Sequence, residues 1–205
     1  ISEAKSERRK LKIATKSLAG FSLLLGLDNT KSHKVNLEHH NVYFPENYDA
    51  EFDDIFTKKI PVTDPTIYVC APKDNSMVKG IDKEAWFVLV NAPRHDVENG
   101  WNWNNGGDKY AEKIIKKLDQ LGLNVSNRLD FMKFRTPADL ENYALAPGGS
   151  IYGTSSNSPA SAFMRAKNRS KINGLFCVGG SAHPGGGLPL VGISAEIVAN
   201  AIGKA

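Results

Sequence analysis

Leu175-Phe176-Cys177-Val178-Gly179-Gly180-Ser181-Ala182-His183-Pro184-Gly185-Gly186-Gly187-Leu188-Pro189 is the most informative stretch of this chain. It predicts a buried strand over Gly174–Val178, a glycine-rich loop, and a helix over Val191–Ile202. In that helix Val191, Ala195, Val198, Ala199 and Ile202 are expected to face inward. Five glycines fall within the nine residues 179–187, a cost in backbone entropy that some local demand must offset. Without side chains the backbone can approach a flat or bulky group, and the helix start adds free N–H groups and a positive dipole end. An anionic or electron-rich group, such as a pyrophosphate or a reduced flavin ring, suits that arrangement. A tight strand-to-helix turn without a ligand is the alternative. His183 reads as a residue that shapes the turn by hydrogen bonding rather than as a catalytic base, and no residue stands out as catalytic. Gly-x-Gly-x-x-Gly after a strand, opening a βαβ unit, is absent, so the loop is not a dinucleotide fingerprint.

Outward from this segment, the pattern predicts alternating elements of uneven length. Residues 2–18 read as a charged helix, and Phe21–Leu27 (FSLLLGL) as a buried strand. Asn41–Phe44, Thr66–Cys70, Trp86–Val90 and Leu129–Phe134 read as further strands. Asp108–Leu121 is the best helix, with Tyr110, Ala111, Ile114, Ile115, Leu118 and Leu121 on one face and Gly122 as its stop. Thr136-Pro137 opens another as N-cap and first residue. Ala50–Phe56 makes a short amphipathic helix, on which Glu51, Asp53 and Asp54 form a solvated acidic face. Residues 147–160 should be irregular. The spacing favours an α+β fold: a mixed-sheet substrate domain over 1–160, then a C-terminal strand-loop-helix over 161–205.

Composition bounds the partners. Apolar residues make up 41% and charged residues 23%, ordinary for a globular domain. The net charge is +4, and the basic run Lys5–Lys16 reads as a solvated helix face rather than a lipid or nucleic-acid contact. No apolar stretch reaches the roughly 20 residues of a membrane span. The chain opens on Ile1 rather than Met, the mark of a segment cut from a longer protein. Cys70 and Cys177 read as small core residues of a reducing compartment. His39-His40, with His33 nearby, lack further ligands at helical spacing and read as a loop pair, so no metal is expected. Trp86 and Phe87 should be core. Trp101 and Trp103 are expected to pack, with contact to a membrane surface as the alternative. Tyr43, Phe44, Tyr48, Phe52 and Phe56 read as core or as the lining of a tunnel.

GGSAHPGGGLPLVGISAEI resembles the closing flavin-contacting motif of bacterial phytoene-desaturase-type carotenoid desaturases. GFSLLLGLD, HHNVYFPENYDAEFDDIF, DPTIYVCAPKDNS, WFVLVNAP, TPADLENY and GGSIYG followed by NRSKINGLF resemble that family in order, over about residues 20–202. The resemblance implies an FAD-dependent oxidoreductase of the amine-oxidase and glutathione-reductase type. Its C-terminal strand-loop-helix completes a Rossmann-like FAD domain whose βαβ half lies outside this chain. Gly180 and Ser181 are then expected on the ribityl-phosphate side, and Gly186, Gly187, Leu188 and Pro189 beside the flavin ring. Gly179, His183, Pro184 and Gly185 complete the cofactor loop. The substrate is a carotenoid or other long polyene, held by apolar strands. The setting is cytoplasmic or peripheral on a membrane, with no nucleic-acid partner. Arg165 and Arg169 read as solvated, or as flavin-phosphate contacts. Ser181, Ala182 and Leu190 depart from the residues common in the family (acidic, Thr and Gly), which implies a variant carotenoid or an oxygenase or isomerase chemistry. An amine oxidase and a non-catalytic lipid-binding or protein-interaction module are the remaining alternatives. With half a site, the isolated chain is expected to bind FAD weakly or not at all.

Overall fold

The computed structural model describes residues 5–155 and 165–203. Their backbone divides into two units: residues 18–149, and the described parts of 1–17 and 150–205. Positions 2–4 of the first expected helix and 156–160 of the expected irregular stretch lie outside the described residues.

The larger unit is built on a five-stranded sheet. Its strands are β1 (Ala19–Asp28), β2 (His40–Tyr43), β3 (Ile67–Cys70), β4 (Lys83–Ala92) and β5 (Leu129–Arg135), in the order β2-β3-β4-β1-β5. Every adjacent pair is antiparallel, so among the described residues the sheet lacks the parallel pairing of a mixed sheet. β1 lies between β4 and β5, and alternation sorts its side chains. Phe21, Leu23, Leu25 and Leu27 are buried on the inner face, opposite Val90, Val88, Trp86 and Glu84 of β4. Leu24 points to the other face, half exposed, beside Phe87. Phe87 is therefore not core: it stands one position along the strand from buried Trp86, on the opposite side of the sheet.

Helix α3 (Gly107–Gln120) contributes the core residues Tyr110, Ala111, Ile114, Ile115 and Leu118. Leu121 lies beyond its end and is partly exposed. Gly122 follows at φ 81, the left-handed conformation a helix stop needs. Phe21 is the centre of an aromatic cluster, edge-on to Tyr110 at 5.1 Å and stacked on Phe134 at 5.6 Å. Trp103 joins it 5.5 Å away and is buried, its indole donating to the Pro93 carbonyl, so no face of it is free for a membrane. Helix α4 (Pro137–Ala144) starts as predicted, with Thr136 and Asp139 forming a reciprocal cap.

Three charged groups are buried without a sequence pattern that marks them. Helix α2 (Tyr48–Phe52) continues through a π-helical turn, Asp53–Lys58. Asp53 faces solvent, but Glu51 and Asp54 do not. Glu51 accepts from the Thr66 amide and the Asn91 side chain, both at 2.8 Å. Asp54 accepts from the Thr63 amide at 2.9 Å and from Lys58 at 2.8 Å. These carboxylates satisfy amides of a linker that has no ladder of its own, which is why they turn inward. Burial, with these two carboxylates nearby, pushes the Tyr110 hydroxyl well above the usual tyrosine range.

Arg128 is fully buried. It donates to Asn29 at 2.8 Å, to the Leu123 carbonyl at 2.9 Å and to Glu84 at 3.3 Å, and it lies 5.0 Å from the Trp86 ring centre. Glu84 also accepts from the Trp86 indole and pairs with Lys34. Burial opposes the charge of Glu84, but Lys34 and Arg128 outweigh it and hold the carboxyl below its ordinary range.

In the smaller unit, helix α1 (Lys5–Ile13) stops short of the predicted end. Residues 15–17 instead run alongside 153–155, through Ser155 N–H to Thr15 O and Ser17 N–H to Gly153 O. The expected strand at Gly174–Val178 does not form. Phe176 makes only an isolated bridge to Arg169, and Leu175 and Val178 are exposed at 47% and 57%. Among the described residues no neighbouring strand offers it a ladder. Helix α5 (Leu188–Ile202) starts three residues early and buries only Ser194 and Val198, leaving Ala195, Ala199 and Ile202 outside. Cys177 and Cys70 are free thiols that are only partly buried, not core.

Arg128→Met should lower stability by about 3 kcal/mol, since it removes the buried cation beside Glu84 and the donor to the Leu123 carbonyl; Glu84→Gln in the same chain should recover part of it. The change in urea midpoint measures both. Lys83 and then Thr30 hold Asp28 far below the carboxylate range, and Lys31 and Lys83 lower Asp130 from its ordinary value. Carboxyls depressed by folding stabilise above their unfolded value of about 4 and lose that contribution as pH falls below it. Stability should therefore drop on acidification below pH about 4, with a shallower slope in Asp28→Asn.

Candidate functional site

The loop from Gly179 to Gly187 is held by Asn168, a buried side chain. Its Nδ2 donates to the Cys177 carbonyl at 3.1 Å, the His183 carbonyl at 2.8 Å and Ser194 Oγ at 2.9 Å. Its own carbonyl takes the Cys177 amide at 2.7 Å. Ser194, fully buried on α5, also accepts from the Gly179 amide at 3.1 Å. One asparagine thus fixes both arms of the loop, and one serine fixes the loop to the helix that follows.

Arg165 adds a third tie, donating to the Tyr152 carbonyl at 2.7 Å and the Gly180 carbonyl at 3.3 Å. It is neither a freely solvated arginine nor an outward-directed one. Arg169, by contrast, is exposed. Ala166 and Ala182 form a bridge, and the His183 amide donates to the Ala166 carbonyl at 2.9 Å. The His183 side chain is exposed, and its peptide bond to Pro184 is cis.

The glycines divide into two kinds. Gly180 and Gly186 are closely packed: a Cβ on Gly180 would lie 3.4 Å from Gly186 Cα, and one on Gly186 would overlap the Tyr152 ring. Gly179 and Gly187 have φ of 113 and 99, and a Cβ on either would meet nothing within 4 Å. Their backbone borders open space. Gly187 is the N-cap of α5, where no side chain caps the first turn and Leu188 is 91% exposed. Pro189 occupies the first turn, where its missing N–H is no loss. Ser181 is exposed, Pro184 half-buried, and Gly185 is buried beside Arg165. The result is bare backbone at Gly179 and at Gly187, beside an uncapped helix start, with Gly180 and Gly186 packed against each other, an arrangement suited to a flat or anionic group. Sequence reading found the glycines. It missed Asn168 and Ser194, whose only signal is a position 15 residues before His183 and 15 after Gly179.

In the larger unit, the outer sheet face carries an apolar patch beside the basic side chains of Lys133 and Arg135. Leu24, Phe87 and Phe131 are exposed there at 47%, 37% and 50%, on three neighbouring strands. Of the expected core or tunnel aromatics, Tyr43 packs against the core, while Phe44, Tyr48, Phe52 and Phe56 form a ladder of ring contacts. Phe44 meets Tyr48 at 5.7 Å, Tyr48 meets Phe52 at 5.1 Å, and Phe52 stacks on Phe56 at 6.5 Å. Phe44 and Tyr48 are exposed. Among the described residues no helix is long and apolar enough to cross a membrane.

A scan against protein-family models finds no match. Individual proteins do match. The chain is 39% identical to a 1-hydroxycarotenoid 3,4-desaturase of Flavobacterium sp. (strain P99-3), over 81% of the chain and 34% of that protein. It is 33% identical to a zeta-carotene-forming phytoene desaturase of Myxococcus xanthus, over 96% and 37% respectively. A 4,4'-diapolycopene oxygenase of Methylomonas sp is 29% identical over 96% and 39%. The chain therefore spans little more than a third of the length of these relatives. Matches of this extent, which run through both the sheet unit and the glycine loop, make the chain a member of the phytoene-desaturase-type family of carotenoid desaturases and oxygenases.

Proposed function

We propose that this chain carries the ring-facing side of an FAD site and part of the polyene wall of a carotenoid desaturase. The bare backbone at Gly179 and Gly187, beside the uncapped start of α5, carries the reading. A side chain at Gly179 or Gly187 would stand in the space that backbone borders, so the residues present fit a flat cofactor laid along it. Gly180 and Ser181 take the ribityl-phosphate side, and Gly186, Gly187, Leu188 and Pro189 the ring side. A βαβ unit outside residues 1–205 holds the ADP half, in a Rossmann-like domain of the amine-oxidase and glutathione-reductase type, with the unit that carries the glycine loop on the FAD side and the sheet unit, 18–149, on the substrate side.

When bound, FAD supplies the acceptor for a hydride from an allylic carbon of the polyene, while a proton leaves the neighbouring carbon. The chain's own work is positional. Asn168 and Ser194 hold the loop in one conformation, and Arg165 holds its Gly180 turn. Leu24, Phe87 and Phe131 offer a hydrocarbon an apolar patch, bordered by Lys133 opposite Leu24. Phe44 and Tyr48 are the exposed aromatics through which a polyene or a membrane surface is met, which fits a cytoplasmic protein peripheral to the membrane. Oxygenation of a similar polyene is the second reading, supported by the likeness to the diapolycopene oxygenase.

The complete product of the gene that encodes this chain, incubated with phytoene or a hydroxycarotenoid, should shift the polyene absorption to longer wavelength. No shift with any carotenoid, together with oxidation of an amine, would move the assignment to another flavoprotein class. The 205-residue chain alone should show weak or no flavin binding, and tight stoichiometric binding would overturn the half-site reading. In the complete protein, Asn168→Ala leaves buried partners unsatisfied and should cost about 2 kcal/mol of stability. It should also lower flavin occupancy, read by absorbance.

A further inference from the structure

His40 and Cys70 sit directly opposite each other in the β2–β3 ladder, on the same face of the sheet. His39 precedes them, its carbonyl fixed by the Ala71 amide at 2.8 Å and its ring centre 4.3 Å from that of His40. One ligand atom from each of the three residues falls within 4.8 Å of the others. The sequence grouped His33 with the histidine pair, but His33 lies against Asn124 and the third ligand comes instead from a strand 30 residues on. Only the register reveals it.

We propose that His39, His40 and Cys70 bind a Zn²⁺-class ion. Two imidazoles and one thiolate are the donor set that borderline and soft first-row ions prefer over Mg²⁺ or Ca²⁺. Around a tetrahedral ion with Zn–N near 2.0 Å and Zn–S near 2.3 Å, such atoms stand roughly 3.3–3.7 Å apart. Rotation of the exposed His39 imidazole toward His40 and Cys70 closes the remaining gap. Both histidines are exposed and Cys70 is a partly buried free thiol, so an ion has an open approach. Tyr68 supports the geometry from the same sheet face: its hydroxyl lies 2.8 Å from His40 Nδ1, which leaves Nε2 for the metal and fixes the ring. Three protein ligands leave a fourth position for water or another small ligand.

The test uses the reduced, chelator-treated chain. Zn²⁺ added in competition with a chromophoric chelator should bind at one equivalent, and His40→Ala or Cys70→Ser should each weaken binding by about 10- to 100-fold. Co²⁺ should give a thiolate-to-metal charge-transfer band that persists in Cys177→Ser and vanishes in Cys70→Ser. Tyr68→Phe, which removes only the positioning hydroxyl, should weaken binding by about tenfold. In the unsubstituted chain, Zn²⁺ should slow alkylation of Cys70 but not of Cys177, read peptide by peptide by mass spectrometry. No stoichiometric binding, a band that survives Cys70→Ser, or equal alkylation of Cys70 with and without Zn²⁺ would overturn the site.

Discussion

The sheet unit depends on the strict two-residue alternation of β1. This ten-residue strand is paired on both sides, so each of its side chains has one of two environments and no third. The odd-numbered residues from Phe21 to Leu27 are sealed against the core that α3 completes. A shift of one residue would exchange that set with Ser22, Leu24 and Gly26 and leave the core without its centre. Gly26 marks where the pairing on one side changes register. A side chain there would come 3.2 Å from Phe131 Cβ, and the pairing with β5 slips between Gly26 and Leu27.

Where no ladder exists, buried polar side chains take over its role. Glu51 and Asp54 satisfy the amides of the segment before β3, Arg128 collects the carbonyls of the turn after α3, and Asn168 binds both arms of the glycine loop. Each is a local solution to the same requirement, that buried backbone groups be paired. Each also explains a charged or amide residue in an environment its composition alone would not suggest.

This division explains what could be read from the sequence. Strands and α3 were legible because periodicity encodes them directly, and Thr136-Pro137 because capping is local chemistry. The glycine loop was legible as a demand for bare backbone. Residues whose role depends on distant partners were not. Glu51 and Asp54 look like a solvated helix face until the linker is folded over them. Phe87 looks like core until the sheet is seen to be covered on one side only within this unit. Gly174–Val178 has the composition of a buried strand, but composition cannot supply a neighbouring ladder. Cys70 reaches His40 only through antiparallel register, which no spacing rule within a single strand contains.

The bond from Gly179 to Ser194 has a mechanical consequence. Ser194 lies two turns into α5, so the first glycine of the loop is fastened to the body of the helix and not merely to its start. Turning α5 by a single residue position, about 100° about its axis, would carry the hydroxyl away from both Gly179 and Asn168. A shift of the loop relative to the helix therefore has to break the bonds to Ser194. A rotation of the helix that breaks these bonds also removes what holds the backbone at the loop's open edge.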